Sequence, residues 1–355
     1  MNKEIKRWVS TSYLNLNYQN HAYCHEALMK IKQEKRDSEA ILNLPIDLRA
    51  LAKSPGIFTE IERVMSSDPE KMMAKADKMT KLTLTRWSAD WRGATELYEQ
   101  AANGFRASSK YEKAKVALEK ASKGQEMQAS PWDAAKHMES AAALAQKLSI
   151  WNEVADFYKK ASELYVECGR AQPASDALGK AARALEDVKP EDAIQLYTDA
   201  CEILEEDGRD QMAFDLYRAC ANVYIKLEKF TDAATFFLRL GVAADKCDAT
   251  NSQCKAYLSA IIIYLYAHDL KQAEKCYNDC SQIDAFLKSD QNRSASRLLT
   301  AYNEGDIEEI KKVASSGTVS NLDHSIIKLA RKLPTGDVTA VQMNTNDDLD
   351  EDDLT

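Results

Sequence analysis

The hydrophobic positions of the chain fall at a helical spacing, and that spacing is itself repeated. Residues 151–170, WNEVADFYKKASELYVECGR, lie over residues 190–209, PEDAIQLYTDACEILEEDGR. Val154 falls over Ala193, Tyr158 over Tyr197, Ala161 over Ala200, and Gly169-Arg170 over Gly208-Arg209. The shared pattern is small-x-x-apolar-apolar-x-x-small. Its first small position recurs at Ala94, Ala114, Ala134, Val154, Ala174, Ala193, Ala213 and Ala233, in steps of 20 or 19 residues, with weaker copies from Ala256 and Ala273. The second small position is Ala101, Ala121, Ala141, Ala161, Ala181, Ala200 or Cys220. Between them sit pairs such as Leu97-Tyr98, Phe157-Tyr158, Leu196-Tyr197, Leu216-Tyr217 and Phe236-Phe237. Positions i, i+3, i+4 and i+7 share one helix face, so each copy predicts an amphipathic helix of about 14–16 residues and a short turn.

The punctuation agrees. Pro131, Pro173 and Pro190 stand at predicted helix starts, where a missing N–H costs little. Gly124, Gly169 and Gly208 stand at predicted helix ends, where a left-handed residue is wanted. Ser130 and Asp210 precede predicted helices.

Small residues at both ends of each face let neighbouring helices approach closely, and the large residue between them fills the gap. One such helix cannot bury its face alone, whereas stacked antiparallel pairs can. The expected fold is therefore all-α, a tetratricopeptide-like α-solenoid of helical hairpins. Its pair period of about forty residues is longer than that of a standard tetratricopeptide repeat. The solenoid is expected over residues 65–285. A C-terminal helical bundle is expected over 286–334, with helices at Asn292–Leu299, Ile307–Ala314 and Leu322–Leu333. Residues 335–355 read as a polar, acidic, flexible tail. Residues 1–64 do not carry the repeat and are read as an appended segment of unknown role, with helices around His21–Lys35 and Asp47–Ala52.

The longest apolar run, Ala260–Ala267 (AIIIYLYA), is too short to span a membrane and reads as a buried helix. The start, MNKEIKRWVSTSYLNLNYQ, has no apolar segment of the secretory kind. A cytoplasmic protein is expected. Its eight cysteines, Cys24, Cys168, Cys201, Cys220, Cys247, Cys254, Cys276 and Cys280, contain no CxxC pair and are read as reduced core thiols. His21, Cys24 and His25 (HAYCH) share a helix face but lack the Glu of a zinc-protease motif, and are read as ordinary helix surface.

The net charge of −9 is unevenly placed: residues 337–355 carry seven acids and no Lys or Arg, while the body is close to balanced. Nothing is basic enough to make nucleic acid the expected partner. There is no Gly-rich phosphate loop, nucleophile elbow or metal-ligand set, so neither an enzyme nor a cofactor is expected. Acidic pairs such as Glu205-Glu206 and Glu308-Glu309 read as solvated helix faces.

Several longer stretches resemble a known family. SSDPEKMMAKADKMTKLTLTRWSADW, SPWDAAKHMESAAALA, GRDQMAFDLYRACANVY and QCKAYLSAIIIYLYAHD, with the opening WNEVADFYKKASELYVECGR, resemble the soluble NSF attachment proteins, specifically the gamma type as found in plants. The resemblance covers nearly all of residues 65–355 and includes turn residues as well as helix faces. It implies a twisted sheet of helical hairpins closed by a C-terminal bundle. It also implies an adaptor that binds assembled SNARE complexes of the syntaxin type and recruits the hexameric ATPase NSF to pull them apart. Peripheral membrane association follows from the same likeness.

Three sites are expected on that footing. The first is KLTLTRWSADW, residues 81–91, where Leu82, Leu84 and Trp87, flanked by Lys78, Lys81 and Arg86, form a membrane-contact loop; Trp91 is expected to pack under the repeat. The second is the tail DDLDEDDLT, where Asp350, Glu351, Asp352, Asp353 and Leu354 match the acids and penultimate Leu that the family uses for NSF contact. The third is a basic face for the acidic SNARE bundle, with Lys136, Arg170, Lys180, Arg183, Arg218 and Lys255 as candidates. The alpha type carries lysines where an approximate helix alignment puts Asp176 and Asp215, which implies a different subset of SNAREs. The alternative reading is a generic tetratricopeptide scaffold of the co-chaperone kind. The twenty-residue step and the missing Asn-Lys clamp pattern argue against it.

Overall fold

A computed structural model of the 355-residue chain describes residues 68–81 and 87–333. Among the described residues every regular element is a helix. The chain divides at Leu164/Tyr165 into two compact units.

The first unit holds α1 (Pro69–Thr80), α2 (Trp91–Ala107), α3 (Tyr111–Met127), α4 (Pro131–Lys147) and most of α5 (Trp151–Glu167). Side-chain contacts fix their register. Gln128 donates to Thr95 Oγ1 at 3.1 Å and Lys113 lies over the Phe105 ring, so α2 and α3 run antiparallel. Ser122 donates to the Ala134 carbonyl at 2.9 Å and Lys147 lies over Tyr111, so α3 and α4 do the same. Across a hairpin, Glu70 meets Lys113 and Asp77 meets Lys120, each 43 residues on, while Glu99 meets His137, 38 residues on. The sequence period of about forty thus reappears as parallel helices one hairpin apart.

The second unit continues with α6 (Ala171–Leu185), α7 (Pro190–Glu206), a 3₁₀ turn (Asp210–Ala213), α8 (Phe214–Lys226), α9 (Phe230–Lys246), α10 (Thr250–Tyr266) and α11 (Leu270–Cys280). It ends in α12 (Asp284–Leu287), α13 (Asp290–Glu304), α14 (Ile307–Ala314), α15 (Gly317–Ser320) and α16 (His324–Arg331). The apolar run 260–267 lies largely in α10, which is buried on all sides from Ala256 to Leu265. It packs against α9, α11, α12, α13 and α16.

The small positions behave as their spacing requires. Ala94, Ala114, Ala134, Val154, Ala174, Ala193, Ala213 and Ala233 are all fully buried, as are Ala101, Ala121, Ala141, Ala161, Ala181, Ala200 and Cys220. Each side chain lost to Ala at a crossing shortens the interhelix distance, and Tyr98, Tyr197, Tyr217 and Phe237 fill the space between crossings.

Seven of the helices are 17 residues long, one or more longer than the repeat predicts. The turns explain why twenty residues suffice. Ser109, Ala129, Ser149, Gly169, Gly208, Glu228, Asp248 and His268 all have positive φ, between 54° and 69°. At each, the next N–H bonds back five residues, as Ser130 to Gln125 and Lys229 to Tyr224 do, which is the Schellman end of a helix. The single 19-residue step, Ala174 to Ala193, spans a turn with no left-handed residue, where Lys189 N–H bonds Leu185 O instead. One residue fewer is used because no reversal residue is inserted.

Several expectations need correction. Gly124 is inside α3 and ends nothing: a Cβ there would lie 2.0 Å from Thr95 Oγ1, so it serves the close approach of α2 and α3. Ala129 makes that helix's left-handed turn. Ser130 does stand immediately before α4, at its N-cap, with its side chain bonded to Asp133. Asp210 is buried in the 3₁₀ turn and pairs with Lys246 at 3.0 Å. Cys168 and Cys247 sit at helix ends and are half-buried, whereas Cys201, Cys220, Cys254, Cys276 and Cys280 are core thiols. Glu205 is not a free surface acid, since Tyr217 donates to it and Arg239 pairs with it at 3.1 Å.

Candidate functional site

The connection between α1 and α2 is closed at its base. The Asp90 N–H donates to the Met79 carbonyl at 3.1 Å, and the Asp90 carboxylate accepts from the Gly93 N–H at 2.9 Å, capping α2. A Cβ on residue 93 would meet Met79 Cε at 2.5 Å, so glycine permits this closure. Below it, Tyr98 and Lys120 both donate to Asp77 at 2.7 Å. Burial opposes the Asp77 carboxylate, but the bonds from Lys120 and Tyr98 outweigh it and hold its pKa below the ordinary value. Burial and the Asp77 charge push the Tyr98 hydroxyl up to about 12. On this base Trp87 is 91% exposed. Trp91 is half-buried at the first position of α2. Leu82, Leu84 and Arg86 lie outside the described residues.

The six candidate cations differ in setting. Lys136, Arg170, Lys180 and Arg183 are exposed, on α4, at the start of α6 and along α6. Lys136 lies 5.0 Å from the Trp132 ring centre and 3.7 Å from Asp133. Arg218 on α8 and Lys255 on α10 are half-buried, and these two come together.

They line a cavity of about 110 Å³ with Phe237, Leu240, Ser252 and the segment Asn321–Asp323. Asp323 belongs to the turn into α16, 105 residues beyond Arg218 in sequence. Arg218 reaches Asp215 at 2.8 Å and Asp323 at 3.6 Å. Beside them, Ser325 donates to Asn222 Oδ1 at 2.5 Å, fastening α16 to α8. Burial drives the Asp323 carboxyl above the usual carboxylate range; Arg218 and Lys255 oppose this, and Asp215 adds to it. The cavity is therefore an ion-pair pocket in which two of the expected partner-binding cations already face acids of the same chain. The pattern in sequence gave no sign of Asp323; an acid ahead of the apolar spacing in HSIIKLA was the available clue, as a helix start.

Arg218 and Lys255 share a cavity, and Lys180 and Arg183 are three residues apart on α6. Asp176 and Asp215 are both exposed. The tail residues Asp350, Glu351, Asp352, Asp353 and Leu354, and the HAYCH group, lie outside the described residues. Among the described residues no group of three or more His, Cys, Asp or Glu is placed to hold a metal, and no helix is long and apolar enough to cross a membrane.

Comparison with known proteins bears on this arrangement. The family model described as "Soluble NSF attachment protein, SNAP" matches residues 67–333. The gamma-soluble NSF attachment protein of Arabidopsis thaliana is 96% identical over 291 residues, covering 82% of this chain and all of that protein. The gamma-soluble NSF attachment protein of Dictyostelium discoideum is 32% identical over 264 residues, covering 74% of this chain and 82% of its own length. The vesicular-fusion protein SEC17 of Komagataella phaffii is 26% identical over 304 residues, covering 81% of this chain and all of that protein. A family match that runs from α1 through α16, together with near-identity to a full-length relative, leaves one assignment: the chain belongs to the soluble NSF attachment protein family.

Proposed function

We propose that the chain works as an adaptor that binds SNARE complexes of the syntaxin type and recruits the NSF hexamer to disassemble them in vesicle trafficking. The observation that carries this is the 96% identity to a gamma-soluble NSF attachment protein along that protein's whole length. The adaptor itself does no chemistry; the ATPase supplies it. A generic co-chaperone scaffold has no comparable support.

In this reading exposed cations meet the acidic surface of the SNARE bundle. Lys136, Arg170, Lys180 and Arg183 are exposed, while Arg218 engages by exchanging Asp215 and Asp323 for acids of the partner, with Lys255 beside it in the same cavity. Surface ion pairs of this kind contribute on the order of 0.2–1 kcal/mol each, so the set acts on encounter rate and register more than on affinity. Residues 350–354 contact NSF, acids against a basic surface and Leu354 as an apolar anchor. Leu82, Leu84 and Trp87 bring the adaptor to the membrane surface, which makes it a cytoplasmic protein with peripheral attachment.

The test is NSF-driven disassembly of a purified syntaxin-type SNARE bundle, with and without this chain. Acceleration of disassembly that requires both the chain and ATP is expected. No acceleration across a range of bundles would overturn the reading.

A further inference from the structure

The last described helix ends in unpaired positive charge. Lys328 and Arg331 stand in the last turn of α16, and Lys332 follows it at the C-cap. All three are exposed, and none makes an ion pair among the described residues. The acids of α14, which packs against α16, are engaged elsewhere: Glu308 pairs with Lys311 at 3.3 Å, Glu309 with Arg297 and with Lys312 at 3.3 Å, and Asp306 caps its own helix. At the other end of α16, Asp323 faces Arg218. Residues 324–333 hold three cations and no acid.

The direction of α16 fixes what lies along it. Asp323 meets Arg218, and two residues later Ser325 bonds Asn222, four residues further along α8. The helix thus starts at the cavity of Arg218 and Lys255 and runs toward the C-terminal end of α8. An acidic partner drawn to that cavity meets the cations of α16 within about 12 Å along the same helix.

Charge and reach point to one occupant for these cations. Residues 334–355 follow Leu333 directly, and Asp347–Asp353 holds six acids in seven residues. Fourteen residues lead from Leu333 to Asp347, a stretch that extends to at most about 46–50 Å, while α16 is only about 12 Å long. Tethered so closely, the acids act at an effective concentration on the order of millimolar. Each exposed pair is weak, so the contact is readily displaced by another dense row of acids.

We propose that in the free adaptor the acids of residues 347–353 lie on Lys328, Arg331 and Lys332, and that an acidic SNARE bundle displaces them, so that loaded adaptors offer the tail to NSF in preference to empty ones. The inference rests on the reading of the tail as the NSF contact and of the bundle as the partner of Arg218 and Lys255. It gives the two binding events an order: the bundle first, the ATPase second.

Two measurements test it. Carbodiimide, which joins a lysine amine to a carboxylate in contact with it, is applied at low salt to a dilute mixture of unlabelled and isotope-labelled full chain, with and without SNARE bundle, and the links are read by mass spectrometry. In parallel, immobilised parent and Lys328→Gln/Arg331→Gln/Lys332→Gln are compared for retention of NSF with a non-hydrolysable ATP analogue, again with and without bundle. The replaced side chains are exposed, and circular dichroism melts check folding. Links from Lys328 or Lys332 to acids of 347–353 within one chain are expected, and they are expected to disappear when the bundle is added. Without bundle the variant is expected to hold about threefold more NSF than the parent, and on the bundle no more than the parent. Absence of the links, with the parent still holding NSF on the bundle, overturns the inference and leaves the adaptor reading standing. Links that persist on the bundle overturn the release step. Links only between labelled and unlabelled chains make a second copy the occupant and overturn it as well. A variant that holds the bundle less tightly with no gain of NSF marks α16 as a SNARE contact, with the same consequence. If the parent holds no NSF even on the bundle, the adaptor reading falls and this inference falls with it.

Discussion

The guanidinium of Arg218 on α8 is held 3.6 Å from the carboxylate of Asp323 at the start of α16. The pair joins the solenoid helix α8 to the last described helix of the chain. It also decides how available a candidate partner-binding cation is, because the same guanidinium bonds Asp215 at 2.8 Å.

Asp323 gives a pH-dependent stability with a definite sign. Burial raises its folded pKa above its unfolded value, near 3.9. Its contribution is fully present below the unfolded pKa and is lost as pH rises through the folded one, so at neutral pH the buried charge is a net cost. Asp323→Asn is therefore expected to raise Tm at pH 7, with the gain closing at about pH 4 or below. The side chain is 35% exposed and solvent screens it, so the gain is at most ~1 kcal/mol, or roughly 2–4 °C for a unit of this size. No cap is lost, since the Asp323 side chain makes no capping bond to α16. A lower Tm at pH 7 would show that the Arg218 pairing outweighs the burial of Asp323.

Asp215 is 94% exposed and takes part of the Arg218 charge. Asp215→Asn is expected to strengthen retention on an acidic SNARE bundle by about threefold at low salt, and by less at high salt. Arg183→Glu, on the exposed face of α6, is expected to weaken it with the same salt dependence. Titration of labelled bundle at two ionic strengths checks both.

Ala129 holds φ at 54° in the α3–α4 turn with nothing but a methyl group to offer there. Glycine meets no steric opposition at that φ, though it adds unfolded-chain entropy. Ala129→Gly is expected to stabilise by ~0.5–1 kcal/mol, read as a higher midpoint in denaturant. The reverse change at Gly208, φ 69°, should destabilise by a similar amount.

Gly241 lies against the Tyr257 ring, where a Cβ would come within 2.1 Å of Cε1. Tyr257 cannot yield easily, being buried and edge-on to Phe286 at 5.6 Å between ring centres. Gly241→Ala is expected to cost about 1–3 kcal/mol despite the better helix propensity of alanine. A thermal melt that matches the parent would show that α9 and α10 separate freely.

Much of the fold was legible because alanine at a helix crossing and a large residue between crossings leave a periodic mark. Ala134, Tyr158 and Ala193 could be read from spacing alone. The turns were legible only at Gly169 and Gly208, because Ser109, Ala129, Glu228, Asp248 and His268 adopt the same backbone without a residue type that signals it. The placement of Gly124 was misread for the converse reason: glycine serves close packing as readily as reversal. The division between Leu164 and Tyr165 falls inside α5, where the sequence pattern is unbroken. Of the candidate site, Arg218 and Lys255 were named from charge, but their meeting with Asp323 depends on how α16 packs on α10, a contact too distant in sequence for spacing to register.

The adaptor role is tested most directly by retention of NSF. The full chain and a version ending at Asn346 are each immobilised with SNARE complex and incubated with NSF and a non-hydrolysable ATP analogue. The full chain is expected to hold NSF and the truncated one to lose it, making residues 347–355 the contact. Retention by both would remove the tail from that role, and retention by neither would contradict the adaptor function itself.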